Sequence, residues 1–277
     1  MPRRKGVEEP VIRSFWLNKE VYEFAIDLHQ KLGISGRRIS RALLEAFGIL
    51  IREDTIYNWL NKGRSPIGNC VGLRECEELA YSLTAYLGDG TKCIRHYNGH
   101  TQYILTLKVT DYDFAEYFGY AVAKVVGREK PYKPIVLNEH HHKRYGCKRR
   151  FAVSFCNKAF YELTSQRPWV LYEFILRKYP AVAISGFFDA EGGVWGRYIG
   201  AENKDYELIL VVQQLLSDLG VHSTIYYRRD RNIYALLIYR NDAIIEFYRK
   251  ISFKIQRKQE KLKKLAEELF LRQTMYA

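Results

Sequence analysis

The chain has 277 residues, and its 44 Lys and Arg against 31 Asp and Glu give a formal net charge of +13, which favours a nucleic-acid partner. Its hydrophobic fraction of 47% suffices for a full core and excludes a disordered chain, while the lack of a long apolar run argues against a membrane span and a secretory signal. The five cysteines are odd in number and lack Cys-x-x-Cys spacing, so we expect a reducing compartment, either cytoplasm or an organellar matrix.

Residues 1–70 are predicted to form a small all-α domain and a linker. Apolar residues at helical spacing indicate helices over 17–33 and 37–48, and Asp54 is expected to cap a third over 55–63. This arrangement resembles a helix-turn-helix module, whose third helix would read DNA; the alternative is a bundle that only packs. The basic character of the segment favours DNA contact. The candidate DNA-binding residues are Arg52, Thr55, Asn58, Asn61 and Lys62.

The rest of the chain, from about residue 76 to 270, contains a diverged internal repeat. Residues 75–92 resemble residues 179–194, because each segment is an apolar helical run that ends in a small residue, an acid and a glycine. Two further pairs of segments match in the same order along the chain. The repeat predicts two similar half-domains, 71–177 and 178–277, related by a pseudo-twofold axis.

Each half-domain is predicted to run helix, hairpin, helix, hairpin, helix. The first copy is expected to carry the longer loops, chiefly at 93–102 and 138–149. Alternation over 101–109 and 150–155 predicts sheets with one apolar face on the helices and one polar, basic face suited to a duplex groove. The candidate DNA-binding residues are Lys92, Gln102, Thr106, Lys108, Lys148, Arg150 and Ser154 in the first half, and Arg197, Tyr226, Arg228, Arg229, Arg231 and Arg240 in the second.

Two acids, Asp89 and Glu191, are predicted to end the first helix of each half, where the helix dipole disfavours negative charge. Small residues four positions apart would let these helices pack closely and bring the acids together. Adjacent carboxylates repel unless a cation lies between them, and Mg²⁺ prefers such oxygen ligands. We therefore expect a metal site for phosphodiester hydrolysis at Asp89 and Glu191, with Gly88 and Ala190 beside them. For either acid alone, a solvated helix end is the alternative.

The segments SLTAYLGDG (82–90) and ISGFFDAEG (184–192) resemble the two motifs of single-chain LAGLIDADG homing endonucleases, with Thr84 in place of the usual glycine. The resemblance covers about 76–270. It implies an α+β fold of two pseudo-symmetric αββαββα half-domains that form a DNA saddle, here preceded by the helix-turn-helix domain. Residues 252–262 resemble the segment that closes the second half in this family, which makes Lys254 the candidate catalytic lysine.

The resemblance also implies an activity: a monomer that cleaves a long, specific double-stranded DNA site with Mg²⁺, for which Mn²⁺ can substitute, as in intron homing. Two alternatives stay open. One is a non-cleaving DNA-binding regulator with the same domains, and the other is an RNA-splicing maturase, which would bind RNA. A regulator has no need for both Asp89 and Glu191, so their joint presence favours the endonuclease.

Overall fold

The computed structural model describes residues 15–63, 66, 73–97, 100–137, 140 and 144–276. The chain forms two compact units, one within Met1–Cys70 and the other within Val71–Ala277. In the described part of the chain, no helix has the length and apolar character needed to cross a membrane.

The N-terminal unit contains helices α1 (Phe15–Leu32), α2 (Gly36–Phe47) and α3 (Glu53–Lys62). They pack around a small core that includes Val21, Ile39, Leu43, Ile56 and Trp59. The predicted cap of α3 is wrong: the helix begins two residues earlier than expected, so Arg52 is its N-cap and Asp54 lies in its first turn. There the Asp54 carboxylate still interacts favourably with the helix dipole. Most of the predicted linker lies outside the described residues.

The first half of the larger unit has the order αββαββα and one antiparallel sheet with strand order β1-β2-β4-β3. Its elements are α4 (Glu77–Asp89), β1 (Gly90–Tyr97), β2 (His100–Val109), α5 (Tyr112–Val125), β3 (Ile135–Val136), β4 (Phe151–Cys156) and α6 (Lys158–Leu163). A short helix α7 (Pro168–Phe174) and a 3₁₀ turn (Leu176–Lys178) then lead into the second half.

The second half repeats this order, with an antiparallel sheet of strand order β5-β6-β8-β7. Its elements are α8 (Pro180–Glu191), β5 (Gly192–Trp195), β6 (Tyr198–Asn203), α9 (Tyr206–Asp218), β7 (Thr224–Arg228), β8 (Ile233–Ile238) and α10 (Asn241–Lys250). A further helix, α11 (Gln256–Tyr276), follows. The α+β fold class with two αββαββα half-domains is therefore confirmed.

The prediction of a long loop at 93–102 is wrong. Residues 93–97 and 100–102 belong to β1 and β2, which have 8 and 10 residues, whereas the equivalent β5 and β6 have 4 and 6. The first copy thus extends its first hairpin by lengthening paired strands, with Tyr97 opposite His100 at the far end. Several residues of the second expected loop, 138–149, lie outside the described residues.

Candidate active site

The two motif helices, α4 and α8, pack against each other at very close range. A Cβ atom on Gly186 would lie 2.3 Å from the carbonyl oxygen of Tyr81 and 2.5 Å from Oγ1 of Thr84. A Cβ on Gly88 would lie 2.6 Å from Cβ of Ala190. Thr84 also donates from Oγ1 to the carbonyl oxygen of Ala183 at 2.7 Å, so its hydroxyl adds a hydrogen bond across the helix pair instead of disrupting it.

Glycines follow both acids, but not as left-handed helix caps. Gly90 has φ −80° and Gly192 has φ −110°, values open to any residue. Space explains the glycines instead. A Cβ on Gly90 would lie 2.3 Å from the carbonyl oxygen of Tyr86, and one on Gly192 would lie 2.5 Å from the ring of Phe188. In each half, the backbone can therefore pass directly from the motif helix into the following strand, and this junction fixes the position of the acid.

Asp89 and Glu191 are the last residues of α4 and α8, and both are half-buried. Burial raises the pKa of Asp89 to about 6, against the opposing effect of the Lys258 charge. Burial, and then the negative charge of Asp89, raise the pKa of Glu191 to about 7. Asn203 on β6 donates from Nδ2 to Oε1 of Glu191 at 2.8 Å and orients that carboxylate. The predicted acid pair is therefore assembled, and its two members repel each other.

A third acid, Asp189, lies two residues before Glu191 on α8 and is almost fully buried. It accepts hydrogen bonds from the Tyr81 hydroxyl at 2.8 Å and from the backbone N–H of Lys254 at 3.0 Å. Burial raises the pKa of Asp189 to about 6, partly offset by these donors. Asp189 thereby joins α4 of the first half to the segment before α11 and holds that segment in place.

Lys258 was not predicted as a site residue, yet it is a buried lysine whose charge acts on both Asp89 and Glu191. Its side chain is 7% exposed, and its Nζ donates to the carbonyl oxygens of Phe188 at 3.0 Å and Asp189 at 2.5 Å. Burial lowers the pKa of Lys258 to about 8, although nearby acids oppose the shift. A signal was present in the sequence: Lys258 interrupts an apolar stripe at helical spacing that starts at Ile255, just before α11, and continues through Leu262, Leu265 and Leu269 of the helix.

Lys254, the predicted catalytic lysine, lies in the turn before α11, as its sequence context suggested. Its backbone N–H binds Asp189, and its Nζ lies 4.9 Å from the centre of the Tyr117 ring. The start of α11 is anchored further by Arg257, whose guanidinium donates to both carboxylate oxygens of Asp111 at 2.6 and 2.7 Å and lowers the pKa of that acid.

The outer face of the first sheet, turned away from its helices, carries most of the predicted polar residues. Because residues opposite each other in an antiparallel pair share a face, the pairs Thr91–Thr106 and Thr106–Ser154 lie on one face, with Gln102 and Lys108 along the same strand. The hydroxyls of Thr106 and Ser154 are 2.8 Å apart.

The structure corrects the prediction that Lys92 lies on the DNA-binding surface. It is opposite the buried Leu105 and so lies on the helix-facing side of the sheet. There its Nζ donates to the carbonyl oxygen of Thr164 at 3.3 Å and to the Ser165 hydroxyl at 2.5 Å. Arg95, which is exposed and opposite Gln102, lies on the outer face instead.

The predicted basic residues near the ends of the first sheet are solvent-accessible. Lys148 and Arg150 are exposed just before β4, and the Lys148 charge helps to lower the pKa of Asp111.

In the second half, several predicted DNA-binding arginines pair with acids. Arg228 and Arg231 both contact Glu202, at 2.9 and 2.8 Å, and Arg240 donates to Asp242. The remaining candidates, Arg197, Tyr226 and Arg229, are exposed. Opposing acids reduce the positive potential of this surface relative to the arginine count.

In the N-terminal unit, the predicted reading residues occupy α3 and its start. Arg52 and Lys62 are exposed, whereas Thr55 and Asn58 are half-buried and Asn61 donates to the carbonyl oxygen of Tyr57 at 3.1 Å. Glu53 and Asp54 put two negative charges in the first turn, which opposes phosphate binding at that helix end.

Across the described residues, no group of three or more His, Cys, Asp or Glu side chains converges in a way that could hold a metal ion. The candidate centre therefore offers the two carboxylates Asp89 and Glu191 with backbone carbonyl groups nearby. Mg²⁺ in phosphate-processing sites is commonly held by one or two carboxylates, with substrate phosphates and waters completing its coordination.

The sequence and fold of the chain are similar to those of known proteins. Residues 178–252 match the model of the LAGLIDADG-like domain. A solved structure of variants of the homing endonuclease I-DmoI is similar in fold, with a TM-score of 0.51, 21% identity and coverage of 63% of this chain and 90% of that one. An I-DmoI variant in complex with its target DNA and Mn matches with a TM-score of 0.50 and 18% identity, over 63% of this chain and 93% of that one. The chain thus carries a LAGLIDADG-like domain and fold.

A full-length relative defines the family more closely. The uncharacterized protein MJ0398 of Methanocaldococcus jannaschii is 30% identical over 257 residues, which cover 87% of this chain and 91% of that protein. The chain belongs to the same family as this archaeal protein.

Proposed function

We propose that the protein is a site-specific, divalent-metal-dependent double-strand DNA endonuclease. The observation that carries the proposal is the pairing of Asp89 and Glu191 at the adjoining ends of two tightly packed motif helices, where the negative charge of one raises the pKa of the other. Nothing in helix stability favours two half-buried acids there. Their placement is consistent with a site for a cation and a phosphodiester.

The chemistry of the pair fits Mg²⁺, with Mn²⁺ as a substitute. Both carboxylates supply hard oxygen ligands, and a divalent ion would offset the repulsion that raises the pKa of Glu191. Asp89 and Glu191 would hold the ion, with Gly88 and Ala190 as neighbouring backbone. When bound, the ion supplies water activation and charge stabilisation for phosphodiester hydrolysis.

The residues of the chain prepare this centre in three ways. Asn203 fixes one oxygen of Glu191 and leaves the other for a ligand. Lys258 binds the last-turn carbonyls of α8 and so holds a buried positive charge beside both acids. Asp189 secures the turn that carries Lys254, which we propose as the group that offsets phosphate charge during cleavage.

The DNA-binding surface in this proposal is the outer face of the first sheet together with the exposed basic residues of the second half. Exposed Gln102, Lys108 and Arg95 supply base and phosphate contacts on the first sheet. The N-terminal unit is proposed to act as a helix-turn-helix module that extends the target site. The protein would act as a monomer, because both acids of the pair come from one chain.

The decisive experiment exposes the purified protein to a library of DNA duplexes with Mg²⁺ and searches for a discrete cleavage product. The Asp89→Asn and Glu191→Gln variants should bind the same duplex without cutting it, because the phosphate contacts lie elsewhere. Selective binding by the wild type without cleavage in Mg²⁺ or Mn²⁺ would overturn the endonuclease and favour a DNA-binding regulator.

A further inference from the structure

The outer face of the first sheet contains three neighbouring rows of residues that differ in chemistry. The strand register places residues of β1, β2 and β4 side by side across the face. One row consists of the hydroxyls Thr91, Thr106 and Ser154. The next row, farther from Asp89 along β1, consists of Cys93, Ile104 and Cys156, and the third pairs Arg95 with Gln102.

The middle row is apolar between two polar rows. Cys93 and Cys156 are exposed free thiols, and Ile104 between them is half-exposed. This middle row lies between the hydroxyl row on one side and the row of the Arg95 guanidinium and the Gln102 amide on the other. All of these neighbouring groups form hydrogen bonds.

A disulfide does not account for the two cysteines. They lie on strands separated by β2, so their Cα atoms are about 9–10 Å apart, because neighbouring strands are about 4.8 Å apart. A disulfide requires Cα atoms within about 7 Å. The two thiols therefore stay unpaired with each other, and the row forms an apolar strip of one branched side chain and two thiols.

We infer that this strip, Cys93–Ile104–Cys156, is a specificity-determining element that contacts the 5-methyl groups of thymines in the major groove. The inference rests on the proposed function, because it takes the outer face to bind DNA. Thymine alone presents a methyl group in that groove, and apolar side chains are its complement. Hydroxyl and amide rows on either side read hydrogen-bonding edges, which an apolar row cannot do.

The register also predicts where the thymines lie. Successive rows are two residues apart along a strand, about 6.8 Å, which corresponds to about two base-pair steps. The thymine positions should therefore form a group of one to three base pairs, about two base pairs farther from the cleavage centre than the positions next to the hydroxyl row. In the second sheet the equivalent row begins with Trp195 opposite Tyr198, so large aromatic side chains take the place of the thiol and the isoleucine.

The test is a binding selection in EDTA with the full chain and a pool of randomised DNA duplexes. Ile104→Thr keeps the β-branched shape and replaces the ethyl group on Cβ with a hydroxyl. Ile135→Thr is the matched control, because Ile135 is an exposed isoleucine of the same sheet and face but in another row, opposite Ala152. We expect Ile104→Thr to lose the thymine preference at one to three adjacent positions, while Ile135→Thr retains it.

A second measurement uses the selected site with those thymines replaced by uracil, which lacks only the methyl group. Wild-type affinity should fall about fourfold per lost contact, the size of one buried methyl-sized group, and the affinity of Ile104→Thr should not change. Unchanged wild-type affinity for the uracil site, or the same thymines selected by Ile104→Thr, would overturn the inference and leave the proposed function standing. A wild-type protein that selects no sequence at all would overturn both.

Discussion

At the residue scale, the centre of the larger unit combines groups that oppose stability. The pKa values of Asp89, Asp189 and Glu191 are all raised, chiefly by burial. A carboxyl group with a higher pKa in the folded state binds protons more tightly there than in the unfolded chain. Its stabilising effect is present at low pH and is lost as pH rises, here between about pH 4 and pH 7. At neutral pH the ionised acids therefore lower the free energy of unfolding, a cost that is common at functional sites.

The first prediction concerns stability in the absence of metal. Glu191→Gln removes an ionisable group with a raised pKa, so in EDTA at pH 8 the variant should be more stable than wild type by about 1–2 kcal/mol, a figure that allows for partial exposure of the side chain. At pH 4, where the wild-type carboxyl is protonated, the difference should vanish. Calorimetric unfolding at both pH values checks this, with the exposed Glu267→Gln as the control.

The Asp89→Asn and Glu191→Gln variants also test metal binding in the absence of DNA. Adding Mg²⁺ should raise the unfolding temperature of the wild type, because a ligand that binds only the folded state stabilises it by mass action. Asp89→Asn and Glu191→Gln should lose most of that rise. Equal Mg²⁺ responses in all three proteins would contradict the assignment of the metal site.

The second prediction concerns Lys258. Its charge lowers the pKa of both Asp89 and Glu191, so in Lys258→Met both pKa values should rise further. The acid limb of the pH–rate profile for cleavage, measured at limiting Mg²⁺, should move upward by about one pH unit. Lys261→Met, an exposed lysine of the same helix, should leave the profile unchanged. An unshifted Lys258→Met profile would assign the lysine a packing role only.

The third prediction concerns Lys254, which has no matched lysine in the first repeat, where the equivalent chain runs into SQRPW. The two strands should therefore be cut with unequal help from the protein. Lys254→Met should slow the cutting of one strand and accumulate nicked plasmid. A time course on supercoiled DNA carrying the site resolves nicked from linear product, and linearisation at the wild-type rate without extra nicked product would exclude a catalytic role.

The acid pair could be predicted from sequence, because matched positions in two repeats are informative. Lys258 was missed because a lysine within a basic tail looks like a solvated side chain, and only its position within an apolar stripe marks it. Lys92 was assigned to the wrong face because the strand register, which decides the face, depends on pairing with β2.

At the element scale, the contact between α4 and α8 sets the distance between the acids. The helices approach through Gly88, Gly186, Ala190 and the hydroxyl of Thr84, with no room for an added Cβ at either glycine. Sequence predicted this contact from small residues four positions apart. It did not predict that Thr84 would bridge the helices, because a hydroxyl finds its acceptor only in the packed structure. Nor did it predict strand lengthening in β1 and β2, since longer strands and longer loops insert the same number of residues.

The fourth prediction tests this contact. Gly186→Ala would put a Cβ within 2.3 Å of the Tyr81 carbonyl oxygen, so the helices must separate. We expect a loss of about 2–3 kcal/mol and an unfolding temperature about 5–10 °C lower. Gly36→Ala is the control, since its Cβ would meet nothing closer than 3.7 Å. Calorimetry that finds Gly186→Ala as stable as wild type would show that the helix contact is softer than these distances imply.

At the scale of the whole molecule, two kinds of surface are combined in one chain. The larger unit contains the acid pair and both sheets, so it has every group that the proposed cleavage requires. The N-terminal unit has a hydrophobic core of its own, formed by α1, α2 and α3. The N-terminal unit also presents exposed basic residues, Arg52 and Lys62 among them, while the acid pair lies within the larger unit. Its contribution should therefore be to affinity and to the length of the target.

The fifth prediction separates the two units by deleting residues 1–70. The remaining chain should fold, because its core is complete without the deleted segment, and circular dichroism should show a cooperative transition. DNA affinity should fall, and the dependence of log affinity on log salt should become shallower by about one unit for each phosphate contact that is lost. Footprinting should show protection shortened at one end of the site, while the cleavage positions stay unchanged. Matched substitutions Arg52→Ala and Lys62→Ala in the full chain should reproduce part of the loss without changing the fold, since both side chains are exposed. A footprint of unchanged length in the deleted protein would mean that the N-terminal unit contacts something other than the target DNA.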